Sequence, residues 1–173
     1  MKKLIVIFAA AVMMTSLAAA QTASGTLNVT ATVNSSINLV FNSDPSGVAL
    51  TSGAKPNAAS LDFGNVSAFG AVAPNVTRTA TATDFTVSTP VDVLVTSANS
   101  ASANYTLTAT LLNPDPNAWA VNGATFSNAT TGTATATGAY GSNVPVTLGI
   151  TILQSVPSGT LISNTVQFLA TAN

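Results

Sequence analysis

From Leu27 to Phe41 apolar and polar residues alternate on a single parity. Leu27, Val29, Ala31 and Val33 are separated by Asn28, Thr30 and Thr32, and the odd positions continue through Ser35 to Ile37, Leu39 and Phe41. A period of two describes a β-strand with one face built for burial. As one strand this run would extend roughly 50 Å at ~3.3 Å per residue, longer than the ~40 Å diameter of a globule of this size. The run is therefore expected to break at Asn34-Ser35-Ser36. That leaves an N-terminal strand with an apolar face and no assured partner in its own domain.

Further stripes follow the same rule. Val91, Val93, Val95 and Ser97 share a parity, as do Tyr105, Leu107, Ala109 and Leu111, with Thr106, Thr108 and Thr110 on the opposite face. Val144, Val146, Leu148, Ile150 and Ile152 predict the longest strand, and Val166, Phe168 and Ala170 the last one. Turn residues separate them at Asp44-Pro45-Ser46-Gly47, Asn113–Asn117, Asn122-Gly123 and Pro157-Ser158-Gly159. Asn122-Gly123 predicts a tight hairpin, because both residues accept positive φ, and the Pro157 turn is expected to join the last two strands antiparallel. Thr125–Tyr140 is poor in core residues and reads as an edge strand or loop. No stretch carries helical spacing. Eight to ten short strands predict an all-β, two-sheet antiparallel sandwich in one domain.

The first twenty residues change the picture of where the chain works. Lys2 and Lys3, an apolar stretch from Leu4 to Met14 and the small residues Ala18-Ala19-Ala20 read as a bacterial-type export signal, too short to span a bilayer. With residues 1–20 removed, the chain begins at Gln21 and has no further membrane span. It then carries two cations, Lys55 and Arg78, against five aspartates, a net charge of −3. No basic patch is available for nucleic acid. A surface of Thr, Ser, Asn and Ala with so few charges permits close self-association, and is equally compatible with a plain secreted domain. Trypsin-like proteases find little to cut, since Lys55 precedes Pro56 and Arg78 alone remains.

Candidate chemistry is sparse. The chain has no His, Cys or Glu, so it lacks the usual proton-transfer groups and activated nucleophiles, and an enzyme is not expected. Asp62 and Asp92 are expected within strands at even positions, facing away from the core. Asp44 and Asp115 fall in proline-containing turns, where Asp caps the backbone. Asn113, Asp115 and Asn117 offer alternating oxygens for calcium, but one charge and two prolines favour an Asx-type turn. No cofactor or transition-metal site is expected. Tyr105 points inward by parity. Trp119, after the proline loop, reads either as core packing or as a sugar-stacking platform with Tyr105 and Tyr140. Asn-x-Ser/Thr triplets such as Asn28-Val29-Thr30 and Asn104-Tyr105-Thr106 follow from the composition and imply no glycan.

The order TLNVTATVNSSINL from Thr26 to Leu39, LDFGNVS from Leu61 to Ser67, the Val91–Leu111 region and the closing Ser158-Gly159-Thr160 with Asn164–Phe168 resembles the spore coat U family. That family includes pilin subunits of archaic chaperone–usher pili. The resemblance covers roughly half the chain beyond the signal and is thin across Ala118–Ser142. It places Ile37 and Ser97 where relatives carry a pair of cysteines, so a disulfide would here be replaced by packing. The last strand lacks the aromatic ending usual in such subunits. The resemblance implies an incomplete immunoglobulin-like sandwich, residues 35–173, preceded by a donor-strand extension, residues 21–34. Leu27, Val29, Ala31 and Val33 would then plug the groove of a neighbouring copy or a related subunit, with a periplasmic chaperone and an outer-membrane usher as further partners and the cell surface as destination. The alternative expectation is a self-complete secreted sandwich acting as an adhesin, matrix or carbohydrate-binding module.

Overall fold

The computed structural model describes residues 26–53, 55, 57–128 and 130–173; the expected export signal and the first residues of the extension lie outside them. The chain divides between Thr32 and Val33, and the second unit, Val33–Asn173, holds every strand found among the described residues. These are β1 (Ser36–Asn42), β2 (Thr51–Ser52), β3 (Ala59–Ser60), β4 (Thr77–Ala80), β5 (Asp84–Ala98), β6 (Asn104–Leu111), β7 (Ala118–Val121), β8 (Ala124–Phe126), β9 (Thr131–Ala139), β10 (Asn143–Leu153) and β11 (Val166–Ala172). No helix occurs among the described residues.

The strands form antiparallel sheets. The larger has the order β1-β5-β10-β7-β8 with β4 also on β5, the smaller has the order β11-β6-β9, and β2 and β3 pair with each other. One hydrophobic cluster joins the two larger sheets: Phe85, Val87, Val91, Val93 and Val95 of β5 and Val146, Ile150 and Ile152 of β10 meet Tyr105, Leu107, Ala109 and Leu111 of β6. This arrangement is that of an all-β protein without a closed barrel and is consistent with a sandwich.

The alternating stripes predict these faces correctly. β1 begins at Ser36, as the break at Asn34–Ser36 requires. The β7–β8 hairpin turns on Asn122 (φ 49°) and Gly123 (φ 80°), and β9, within the core-poor stretch, is an edge strand of the smaller sheet.

Other expectations are corrected. The longest strand is β5, with 15 residues, and not β10. Its inward parity runs from Phe85 to Val95 straight through Pro90. Proline is tolerated there because it falls between the segments covered by β4 (Phe85–Ser88) and by β1 (Asp92–Ala98), where no ladder partner needs its missing N–H. β10 and β11 are not neighbours: they belong to different sheets, and residues 154–165 cross between them. β10 already has β5 on one edge and β7 on the other, while β6 offers β11 a free edge. Asp62 is in a loop, where its carboxylate accepts the N–H of Gly64 (2.8 Å, φ 69°). Asp92 does lie on the outer face of β5, yet it is buried there, accepting a hydrogen bond from Asn143 Nδ2 (3.1 Å), whose Oδ1 accepts one from Asn42 (3.1 Å).

Two polar ties hold loops to this frame. The Arg78 guanidinium donates to the carbonyls of Ser67 (3.0 Å) and Gly70 (2.9 Å), fixing the loop that follows Leu61-Asp62-Phe63-Gly64. The buried Thr89 hydroxyl accepts from Val48 N–H (2.8 Å) and donates to Asn75 C=O (2.8 Å). Thr89→Val keeps the shape and leaves both backbone groups without their partner. It is expected to cost about 1–3 kcal/mol, read as a lower urea midpoint at unchanged slope; an unchanged midpoint would show that the tie contributes nothing.

Candidate functional site

The two sides of the paired sheets differ. On the β8/β9 side the chain passes from one sheet to the other over Ser127–Thr130, and Leu111 bridges Asn128. Asn122 stitches this side further: its Nδ2 donates to Ala134 C=O (2.7 Å) and its Oδ1 accepts from Thr147 N–H (2.8 Å). On the other side lie β1 and β11. β1 pairs with β5 and β11 with β6, and among the described residues neither has a ladder partner on its outer edge.

The core is fully enclosed on β5, β6, β7 and β8 but not here. The inward rows Leu39 and Phe41 of β1, and Val166, Phe168 and Ala170 of β11, pack on the core while remaining half-exposed. Ile37 retains 37 % of its surface. Six apolar positions thus line a seam whose floor is the buried Val93, Val95, Leu107 and Ala109.

Register fixes how the rows face each other. Ser36 is opposite Ala98 and Ala172 is opposite Tyr105, at the two ends of the short β5–β6 connection. β1 and β11 therefore run in opposite directions along the seam. They touch at Phe41 and Phe168, whose rings meet edge to face with centroids 5.4 Å apart. Since Phe41 is opposite Val93 and Phe168 opposite Ala109, the two rings fill the volume left over alanine. Counting two residues at a time from that contact toward the β5–β6 connection, the registers bring Leu39 level with Ala170 and Ile37 level with Ala172. The seam is closed at the phenylalanines. Past the phenylalanines, Val166 faces the end of β1.

The residues expected to act as plugs are all solvent-facing: Leu27 is 87 %, Val29 81 % and Val33 72 % exposed, and Ala31 is exposed as well. Residues 26–35 belong to no strand. Ile37 lies directly opposite Ser97 in the β1–β5 register. The seam's second wall escaped the sequence reading. The parity of Val166, Phe168 and Ala170 was the available signal, but nothing in it names β1 as the strand across the gap.

Other candidate positions have structural roles. Trp119 is only 5 % exposed, and an indole enclosed to that degree offers no stacking face to a sugar. Tyr105 is buried and Tyr140 packs on it, centroids 5.3 Å apart. Asp44 accepts the N–H (2.7 Å) and hydroxyl (2.6 Å) of Ser46, which hold its carboxyl below the usual value. Asp115 accepts the N–H and side-chain amide of Asn117 (both 2.8 Å), the Asx-type turn, and the amide of Asn164 (3.3 Å). Desolvation pushes the Asp115 pKa up, but these bonds outweigh it and the net shift is downward. Trp119 Nε1 is directed at the same carboxylate without reaching hydrogen-bond geometry. Asn117 thus turns its amide nitrogen to Asp115. Among the described residues no three His, Cys, Asp or Glu cluster together, and no helix is long and apolar enough to cross a membrane.

A carboxyl with a lowered folded-state pKa adds stability above its unfolded pKa, and that stability is lost as pH falls through the folded value. Stability is thus expected to decline on acidification below the ordinary carboxylate range. Asp115→Asn should flatten that decline in urea melts taken down the pH scale; an equally steep decline in the variant would acquit Asp115.

An open cavity of about 550 Å³ lies beside the end of β1, lined by Val40, Phe41, Leu50 and Lys55 among others. It shares Phe41 with the seam. No protein-family profile, curated protein or solved structure matches the chain.

Proposed function

We propose that the chain is a structural subunit of a cell-surface filament, exported and joined head to tail by donation of its N-terminal strand to a neighbouring copy. In this reading the sandwich is an immunoglobulin-like domain short of one strand, and the seam between β1 and β11 is the vacancy. Leu27, Val29, Ala31 and Val33 are the plugs. A periplasmic chaperone and an outer-membrane usher are the partners that the resemblance to pilin subunits suggests.

One observation carries the reading: the enclosed core stops at β5 and β6, and both strands beyond them on that side keep half-exposed apolar rows. Each lacks an outer ladder partner among the described residues. An added strand would supply backbone hydrogen bonds to β11 and cover both rows, which is β-augmentation. An alternating apolar stripe outside any strand, 27–33, supports the same reading from the other partner. Head-to-tail insertion of this type does not close on itself and so generates a fibre.

The test is export of the chain with and without residues 21–34, followed by size exclusion, electron microscopy and a denaturing gel without boiling. The full chain is expected to give a ladder and fibres, and the truncated chain a monomer. If both forms are equally monomeric and equally stable, strand donation is wrong.

A further inference from the structure

We propose that Asn122 is a self-modifying residue: when the sheets part on the β8/β9 side, its carboxamide reacts with the next peptide nitrogen and is lost as ammonia, and the product cannot restore the closure. The site lies away from the β1–β11 seam and does not depend on strand donation.

Asn122 ties three groups together. Its backbone N–H donates to Thr147 C=O (2.9 Å), and its Oδ1 accepts the Thr147 N–H (2.8 Å). The last ladder pair between β7 and β10 is Val121 with Leu148. The side chain therefore adds one more rung to that ladder, where the backbone has already turned toward β8. Its Nδ2 donates to Ala134 C=O (2.7 Å) in β9, a strand of the smaller sheet. One carboxamide thus joins the two sheets, its oxygen bonded to β10 and its nitrogen to β9.

The same residue belongs to the chain's single Asn-Gly pair. Asn122 (φ 49°) and Gly123 (φ 80°) make the two-residue turn of the hairpin, with Val121 paired to Ala124 across it. Both are exposed, and glycine has no side chain to shield its nitrogen. Deprotonated by base, the Gly123 nitrogen attacks Asn122 Cγ and the new N–C bond closes a five-membered imide. The Cγ–Nδ2 bond breaks, and the nitrogen takes up the proton and leaves as ammonia. Water then adds to either imide carbonyl and breaks its bond to the ring nitrogen, giving aspartate or its β-linked isomer. One water enters and one ammonia leaves, so no oxidant or reductant is needed.

Closure of the sheets holds this reaction back. Attack requires Cγ to turn onto the Gly123 nitrogen, whereas two hydrogen bonds hold the carboxamide on Thr147 and Ala134. Two bonds of ordinary net strength make the released carboxamide roughly ten- to hundred-fold rarer than the held one. The product acts in the opposite sense. An ionised aspartate still accepts from Thr147, but it sets a charged acceptor against Ala134 C=O with no hydrogen between the two oxygens. The β-linked isomer lengthens the backbone of a turn that has only two residues. Opening on this side is thereby made permanent by the chemistry that it admits.

The natural chain is incubated at mildly alkaline pH, folded in buffer and unfolded in guanidinium chloride, and the fragment holding residues 122 and 123 is followed by mass spectrometry. The mass change of water replacing ammonia is expected to accumulate roughly ten-fold or more faster in the unfolded chain. Equal rates overturn the guarding role, and no conversion in the unfolded chain overturns the site. Gly123→Ala, compared in denaturant where its folded φ is irrelevant, should slow the loss by shielding the attacking nitrogen. An unchanged rate overturns the imide route. Asn122→Asp represents the product and should have a lower denaturant midpoint than the natural chain; an equal midpoint overturns the irreversible step. Partly converted natural chain returned to buffer reads that step without a variant. At intermediate denaturant its converted fraction should be digested first by added protease, and equal survival of the two fractions overturns the step.

Discussion

Gly138→Ala is expected to lower stability by about 3 kcal/mol, the upper part of the range for forcing one carbon into a filled core. Gly138 pairs with Tyr105 across β6 and β9, and a Cβ there would overlap the Cζ and both Cε atoms of the tyrosine ring. The ring cannot swing aside, because Tyr105 is fully enclosed and packed against Tyr140. The loss would appear as a lower urea midpoint with the slope retained. Tyr105→Leu in the same chain removes the overlapped atoms, so the double variant should lose less than the sum of the singles. Additivity would mean that the ring is not what the new carbon meets. Tyr105→Phe is a sharper control. The Tyr105 hydroxyl is buried with no hydrogen-bond partner among the described residues, and burial followed by the neighbouring Tyr140 pushes its pKa up. Removing that hydroxyl should therefore leave stability unchanged or raise it.

This contact shows where sequence legibility ends. The inward parity of Tyr105 is local information, because a strand's faces follow from its period alone. The same holds for Leu107, for the start of β1 at Ser36 and for the Asn122-Gly123 hairpin. That Gly138 leaves room for the Tyr105 ring is non-local: it depends on which strand pairs with β6 and in what register. The β10–β11 expectation failed for the same reason. Pro157-Ser158-Gly159 marks a turn, but a turn does not say whether the next strand stays in its sheet.

The seam was half legible. The stripe from Leu27 to Val33 and the odd parity of Ile37, Leu39 and Phe41 are visible in the sequence, and so is that of Val166, Phe168 and Ala170. Parity says that these positions face inward; it does not say that the interior ends there. Ile37 keeps 37 % of its surface because β1 is an outermost strand, a property of sheet order and not of its own segment. The stripe beginning at Val91 likewise does not show that β5 continues back through Pro90 to Asp84, since a proline is tolerated inside a strand only where its missing N–H faces a gap. Asp92 faces outward as parity requires, yet the amide of Asn143 covers it from the neighbouring strand, a pairing absent from any local pattern.

A peptide of residues 26–35 added to the chain lacking residues 21–34 is expected to raise its urea midpoint, because it fills the seam in the folded state alone. The gain follows the peptide's own affinity, about 2.7 kcal/mol when its concentration is a hundred times Kd. Leu27, Val29 and Val33 each contribute ~1.5–3 kcal/mol if fully buried, and the β11 edge gains ladder bonds. A Val29→Asp peptide should give no shift, since a carboxylate buried in the apolar seam has no partner to offset its desolvation. Asn28→Ser, on the outward parity, should match the natural peptide. The seam wall provides the converse measurement. Leu39→Ala removes a side chain that is half-exposed in the free domain, so its cost there should be small; with peptide bound the same side chain becomes enclosed, and the cost should rise. Equal costs in the two states would mean that the peptide binds elsewhere. A midpoint that ignores the natural peptide at every concentration would remove the seam as its receptor. Together the two measurements separate a domain stabilised by a neighbour's strand from one that is complete without it.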